Sequence, residues 1–231
     1  RCLTRDGALV PRARFPHTGR LQHESTFPVR WMSTTGGGWE RKPTEVELTM
    51  MTVKVGQIPS GFKIENAEVT VYHMWDESTI GVKSFDPAKR SMVFTGELGH
   101  PAGAFDVMDY VVWNTTEGLF QGSWMHDRTK GEILYWPKEG QQPKTGSELR
   151  TASAEFALKL KDAQNVTIKD LSFTAAGTPL KSGGFGAGNF EGVVTAESSR
   201  GLTLSRLTVK GTGGWGIRTW SCEGLRVERC Q

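Results

Sequence analysis

Three stretches in the last third of the chain place apolar residues at matching steps: Val166, Ile168, Leu171 and Phe173; Leu202, Leu204, Leu207 and Val209; Leu225, Val227 and Cys230. Each reads as a short strand, a bend and a second short strand, since residues two apart share one face of an extended chain. The copies are offset by 36 residues (166 to 202) and then by 23 (202 to 225), and a strand–bend–strand solenoid coil takes roughly 20 to 30 residues. The pattern predicts the opening coils of a parallel β-helix. A single coil exposes an apolar column that only the next coil covers, so about three or more coils and a cap at each end are required. The columns Val166, Leu202, Leu225 and Leu171, Leu207, Cys230 run up to Gln231 uncapped, which predicts that the sequence is a portion of a longer protein.

Upstream the pattern changes. Residues 45–55 alternate as Val46, Leu48, Met50 and then shift to Met51, Val53, Val55, which predicts one strand with a bulge. Further strands are expected at 68–74, 79–85 and 91–95, with Asp86-Pro87 as a turn. A hairpin is expected from 122–127 into 132–136 through Arg128-Thr129-Lys130-Gly131, and another around Asp6-Gly7. This spacing is that of an antiparallel meander or sandwich. No long helical periodicity is present; residues 152–160 fit a strand or a short helical turn, and 139–148 fit a linker.

Composition narrows the functional classes. The net charge of +3 is small and the basic residues are interspersed with acids, so a nucleic-acid-binding stripe is not expected. No apolar run approaches the roughly 20 residues of a membrane span. Cys2, Cys222 and Cys230 have no metal-type spacing, and Cys230 falls on an inward column as a small hydrophobe. Asn114-Thr115-Thr116 and Asn165-Val166-Thr167 are acceptor tripeptides for N-glycans. His73, His100 and His126 show no ligand spacing, and no metal or cofactor is expected. Asp127, beside its hairpin turn, is expected to accept backbone hydrogen bonds. The run Ser182-Gly183-Gly184-Phe185-Gly186-Ala187-Gly188 lacks the lysine and following helix of a phosphate loop and reads as a loop inserted between coils.

Several motifs in order carry a family resemblance: Ala13-Arg14-Phe15-Pro16, then Tyr110, Asn114 and Glu117, then the stretch from Gly122-Ser123-Trp124 through Gly131 to Tyr135-Trp136-Pro137, then Asn165-Val166-Thr167-Ile168 and Gly213-Gly214-Trp215-Gly216-Ile217. From Ala13 onward the chain resembles the pectin-lyase-like right-handed β-helix glycoside hydrolases, and within them the group that includes glycoside hydrolase family 141, of fucosidase and xylanase type. The resemblance implies an all-β fold in which the start of a right-handed parallel β-helix carries an inserted antiparallel β-sandwich-like domain. Early helix strands would fall at 1–28, the insertion at 29–146 and incomplete coils at 147–231. It further implies a secreted or periplasmic enzyme that hydrolyses plant or algal polysaccharide, with catalytic carboxylates on later coils and no turnover by this segment alone. A polysaccharide lyase and a non-catalytic carbohydrate-binding protein are the alternatives. The matching motifs are architectural and carry over no catalytic residue.

For chemistry, the sequence nominates Glu191, Trp215, Arg218 and Trp220 on the coils and Trp39 beside the glycine-rich loop 33–38 as saccharide contacts. Indole faces stack on the apolar C–H faces of sugars while a nearby guanidinium serves hydroxyls. Aligning Gly192-Val193-Val194-Thr195 with Gly216-Ile217-Arg218-Thr219 sets Val193 inward above Ile217 and Val194 outward above Arg218, groups Glu191 with Trp215 and Glu197 with Ser221, and leaves each glutamate without a partner carboxylate. Trp75, Trp113, Trp124 and Trp136 are expected on strands and in the core. Arg218 is the one base placed for a lyase.

Overall fold

Asp6 and Gly7 both take left-handed backbone (φ 49 and 80) and reverse the chain between β1 (Leu3–Arg5) and β2 (Ala8–Leu9), which pair antiparallel. This is the reversal that the Asp-Gly pair predicts. The computed structural model describes residues 1–183 and 190–231, so most of the glycine-rich run 182–188 lies outside the described residues. Contact density divides the chain into one unit of Arg1–Pro11, Gln142–Pro179 and Ala187–Gln231, and another of Arg12–Gln141 and Leu180–Gly186. Among the described residues the secondary structure is nearly all β, with a single five-residue α-helix and two 3-10 turns.

The second unit holds an antiparallel sheet of β3 (Arg14–Phe15), β4 (Leu21–Gln22), β5 (Met50–Thr52), β6 (Glu68–Tyr72), β7 (Glu77–Asp86), β8 (Ser91–Phe94) and β9 (Asp109–Trp113), in the order β3-β9-β6-β7-β8-β5 with β4 also on β9. Its apolar face buries Met51, Val69, Val71, Met92, Tyr110 and Val112 completely, with Val53 and Phe94 nearly so. The single strand expected over 45–55 is instead split: α1 spans Glu45–Thr49 and only β5 follows. The cause is a capping box. Thr44 Oγ1 accepts from the Glu47 N–H while the Glu47 carboxylate accepts from the Thr44 N–H, satisfying two helix-end donors that a strand would leave open. The Arg41 guanidinium, hydrogen-bonded to both Glu47 oxygens, and the Thr44 N–H hold that carboxyl down at about 2.

In the same unit, β10 (Ser123–Asp127) and β11 (Glu132–Trp136) form the expected hairpin, Ser123 opposite Trp136. Asp127 Oδ1 accepts from the Thr129 and Lys130 N–H groups in its turn. Asn114 of the first glycan tripeptide is fully buried, giving its amide to the Asn66 and His126 carbonyls and accepting the His126 N–H, so the folded chain offers no glycan attachment there. Trp124 is buried as expected, but Trp75 and Trp136 are 43% and 48% exposed. Trp75 sits in the turn between β6 and β7, outside either strand, and β11 is an exposed strand along most of its length.

In the first unit β12 (Leu149–Thr151) pairs antiparallel with β1. The remaining strands form three parallel ladders. One joins β13 (Leu158–Lys161), β16 (Gly192–Glu197) and β19 (Trp215–Trp220); a second joins β14 (Thr167–Lys169), β17 (Thr203–Ser205) and β20 (Arg226–Glu228); the third joins β15 (Ser172–Ala176) and β18 (Thr208–Thr212). Every ladder carries the 36-residue offset of the apolar repeat, and the two three-stranded ladders carry the 23-residue offset as well, for example Ile168 beside Leu204 beside Val227. The bends repeat too. Asp162, Ser198, Ser221; Asn165, Gly201, Gly224; and Asp170, Arg206, Arg229 are three columns of left-handed residues, φ between 47 and 66. One left-handed residue turns an extended chain sharply, and stacking like corners lets successive strands stay in register.

Val194, Leu204 and Leu207 are fully buried at the centre, ringed by Leu158, Leu160, Ile168, Phe173, Ile217 and Cys230. The middle member of each column is covered on both sides: Leu202 and Leu207 are 0% exposed, whereas Leu171 is 45% exposed. The alignment read from the sequence is corrected by one residue. Val194, not Val193, pairs with Ile217, and Thr195, not Val194, pairs with Arg218. A one-residue slip exchanges the two faces of a strand, and the 23-residue offset gives the true register.

Candidate functional site

The corrected register builds one row of Lys159, Thr195 and Arg218 and a second of Lys161, Glu197 and Trp220 across β13, β16 and β19. Lys159, Glu191, Thr195, Glu197, Arg218 and Trp220 line a cavity of about 270 Å3. A larger cavity of about 550 Å3 in the same unit is lined chiefly by small and apolar residues, with Arg150 its one charged group, so acid–base chemistry points to the smaller one.

Glycine explains how Glu191 reaches this cavity. A Cβ on Gly192 would stand 2.8 Å from the Arg218 backbone nitrogen and from the Val194 carbonyl oxygen, so only glycine permits this close folding of the chain. The Gly192 N–H donates to Thr195 Oγ1 at 3.1 Å. The Thr195 hydroxyl lies 3.0 Å from the Gly192 carbonyl and 3.3 Å from Glu191 Oε2, and donates to one of them. Lys159 Nζ is 3.8 Å from Glu191 Oε1, and Arg218 Nη1 donates to the Phe190 carbonyl at 3.0 Å. Glu191 is thereby drawn onto Thr195, the same-face neighbour of Glu197, and same-face neighbours on a strand stand about 7 Å apart. Glu197 has no ion-pair partner among the described residues and belongs to the strand, opposite Trp220, instead of following it opposite Ser221.

Of the residues nominated from sequence, the fold brings Glu191, Arg218 and Trp220 together. Trp215, 45% exposed, opens β19 opposite Gly192 and is not among the lining residues. Trp220 is 67% exposed. Trp39 belongs to the other unit, where it packs with Trp31, Phe27 and Phe105. Sequence reasoning missed Lys159 and Thr195, and left Glu197 beside Ser221 without a partner carboxylate. The 23-residue offset applied to β16 and β19 finds Thr195 and Glu197, and the 36-residue offset finds Lys159.

The second unit buries several ionisable groups. His23 is held down at about 4 by burial, and among the described residues neither its ring nitrogens nor the buried Tyr110 hydroxyl has a hydrogen-bond partner; burial raises Tyr110. His73 Nε2 meets Ser78 Oγ at 3.0 Å, and burial lowers it to about 4 as well. Glu68, fully buried, is gripped by Arg12 at 2.8 Å and by Arg128. Among the described residues no group of three His, Cys, Asp or Glu could hold a metal ion, and no helix is long and apolar enough to cross a membrane.

No protein-family model and no curated protein matches the sequence. A solved structure named "Glycoside hydrolase" matches in fold with a TM-score of 0.66 at 15% identity. The match covers 94% of this chain and 43% of that protein, so this chain spans less than half its length.

Proposed function

We propose that the three parallel ladders are coils of a right-handed parallel β-helix, that the second unit is an insertion into it, and that the face of β13, β16 and β19 binds polysaccharide in a secreted or periplasmic enzyme that hydrolyses glycosidic bonds. The observation that carries this reading is the convergence of two carboxyl side chains, two cations and an exposed indole on one cavity. Hydrolysis requires two carboxyls flanking the scissile bond, about 5 to 5.5 Å apart for retention and roughly 6.5 to 9.5 Å for inversion. The placement of Glu191 against Thr195, beside Glu197, supports a pair on that scale. In this reading such a pair takes the role that the sequence leaves to carboxylates on later coils. One glutamate protonates the leaving oxygen and the other activates water or attacks the anomeric carbon; Lys159 and Arg218 bind hydroxyl or carboxylate groups, and Trp220 stacks on a ring. The fold of the glycoside hydrolase neighbour supports the class, and the substrate is a proposal.

The test is release of reducing ends from xylan and pectic polysaccharides by the wild-type protein, Glu191→Gln and Glu197→Gln. The reading predicts turnover that falls at least 100-fold in either variant with substrate binding retained. Unchanged turnover in both would contradict it. A second reading, elimination from a uronate with Arg218 as base, draws support from Arg218 and Lys159 lining the same cavity. It predicts an unsaturated, ultraviolet-absorbing product that Arg218→Lys abolishes.

A further inference from the structure

The strands β13, β16 and β19 all end on a corner of the same build. Asp162, Ser198 and Ser221 follow them in left-handed backbone, φ 51, 47 and 50, and one such residue turns an extended chain sharply. The Asp162 N–H donates to the Glu197 carbonyl and the Ser198 N–H to the Trp220 carbonyl, so these backbone donors are satisfied by the neighbouring strand. Two residues further on, Gln164, Arg200 and Glu223 stack by parallel bridges. Between the two rows Ser199 is buried, and its Oγ accepts from the Ala163 N–H at 3.1 Å and donates to the Glu197 carbonyl at 2.7 Å. The corner is thus pinned from inside and from both rows. Gln164, Ser198, Ser199, Arg200, Ser221 and Glu223 line a cavity of about 300 Å3 there, within the range of small-ligand sites.

This cavity borders the one that holds Lys159 and Arg218. Glu197 and Trp220 line the first, and the residues that follow them, Ser198 and Ser221, line the second; consecutive Cα atoms stand only about 3.8 Å apart. The exposed Trp220 indole marks the border. We infer that the corner is a further subsite of the same saccharide site and takes an uncharged sugar residue, the neighbour of the one stacked on Trp220. Its wall suits hydroxyl groups. Gln164, Ser198 and Ser221 are exposed and offer an amide and two hydroxyls, each able to donate and to accept. The two charges on the wall are opposite, Arg200 pairing with Glu223 at 2.9 Å, so a uronate carboxylate would have to displace Glu223 to reach a cation. This inference rests on the proposed function.

The experiment is affinity titration of the full chain with xylotriose, xylohexaose, trigalacturonate and hexagalacturonate, with melting temperatures alongside. The proteins are wild type, Arg218→Ala and the double variant Gln164→Ala with Ser221→Ala. The expected result is that xylohexaose binds wild type about tenfold tighter than xylotriose, the scale of one or two net hydrogen bonds. The double variant loses this gain, while its xylotriose affinity and melting temperature stay near those of wild type. Arg218→Ala weakens both lengths alike. Retention of the full gain by the double variant overturns the corner subsite and leaves the first cavity standing. So does equal affinity of wild type for the two lengths, or a gain confined to the galacturonate pair. Loss of both lengths together in the double variant also overturns it, because the corner then only supports the first cavity. Absence of binding to all four probes overturns the subsite and the proposed function together.

Discussion

Glu68 has no exposed surface and lies between the guanidinium groups of Arg12 and Arg128. Burial lowers Arg12 to about 10, so the pair of cations depends on this one carboxylate for compensation. Removing one partner of a buried charge group costs about 3 to 5 kcal/mol, and Glu68→Ala should lower stability by that order in urea unfolding. His23 and His73 act through pH. Both are held at about 4 when folded, against about 6.5 in an unfolded chain. Above pH 6.5 neither state carries the proton and the stability is complete. From there down to about pH 4 only the unfolded chain takes the proton up, so stability declines as pH falls, and below that these groups add no further loss. At about 1.4 kcal/mol per pH unit, His23 alone removes roughly 3 kcal/mol over this window, and His23→Phe should flatten the slope of melting temperature against pH between 6.5 and 4. At the coil cavity, Gly192→Ala would press a methyl group on the Arg218 backbone. It should cost about 1 to 3 kcal/mol and weaken saccharide binding, a double effect that a variant at an uncrowded glycine without left-handed backbone, such as Gly96, would not produce.

Among the elements, the parallel ladders depend on their corners. Gly201 and Gly224 occupy left-handed positions in the column that Asn165 begins, and a Cβ on Gly201 would stand 2.6 Å from Asn165 Oδ1. Gly201→Ala therefore combines backbone strain of about 1 to 2 kcal/mol with that contact, and a lowered melting temperature is the expected result. Elements were legible in the sequence where one signal dominated. Asp6-Gly7 and the hairpin through Gly131 are turns that few other structures accommodate, and the apolar repeat fixed which strands stack. The strand expected over 45–55 failed because its alternation was read without Thr44 and Glu47, whose reciprocal hydrogen bonds decide for a helical turn. The register of β16 on β19 failed because two glycines, Gly192 and Gly216, were matched by identity. The 23-residue offset of Leu202 and Leu225 gives the observed pairing of Thr195 with Arg218, and the 36-residue offset of Val166 and Leu202 adds Lys159 to the row.

For the whole molecule, the parallel ladders and the antiparallel sheet are separate solutions to the same requirement, that every apolar face be covered. In the first unit the neighbouring strands of the parallel ladders cover the central apolar residues; in the second, strands β3 to β9 are held by antiparallel pairing. The division into two such regions was visible as a change of apolar rhythm. The cavity was not visible, because it depends on Gly192 folding Glu191 onto Thr195, a tertiary contact without periodicity. The central claim is that the face of β13, β16 and β19 takes a saccharide. Backbone hydrogen exchange with and without a bound oligosaccharide tests it most directly. Slowed exchange in 191–197 and 215–220, abolished by Arg218→Ala, is the result predicted; unchanged exchange in both segments at saturating ligand would contradict it.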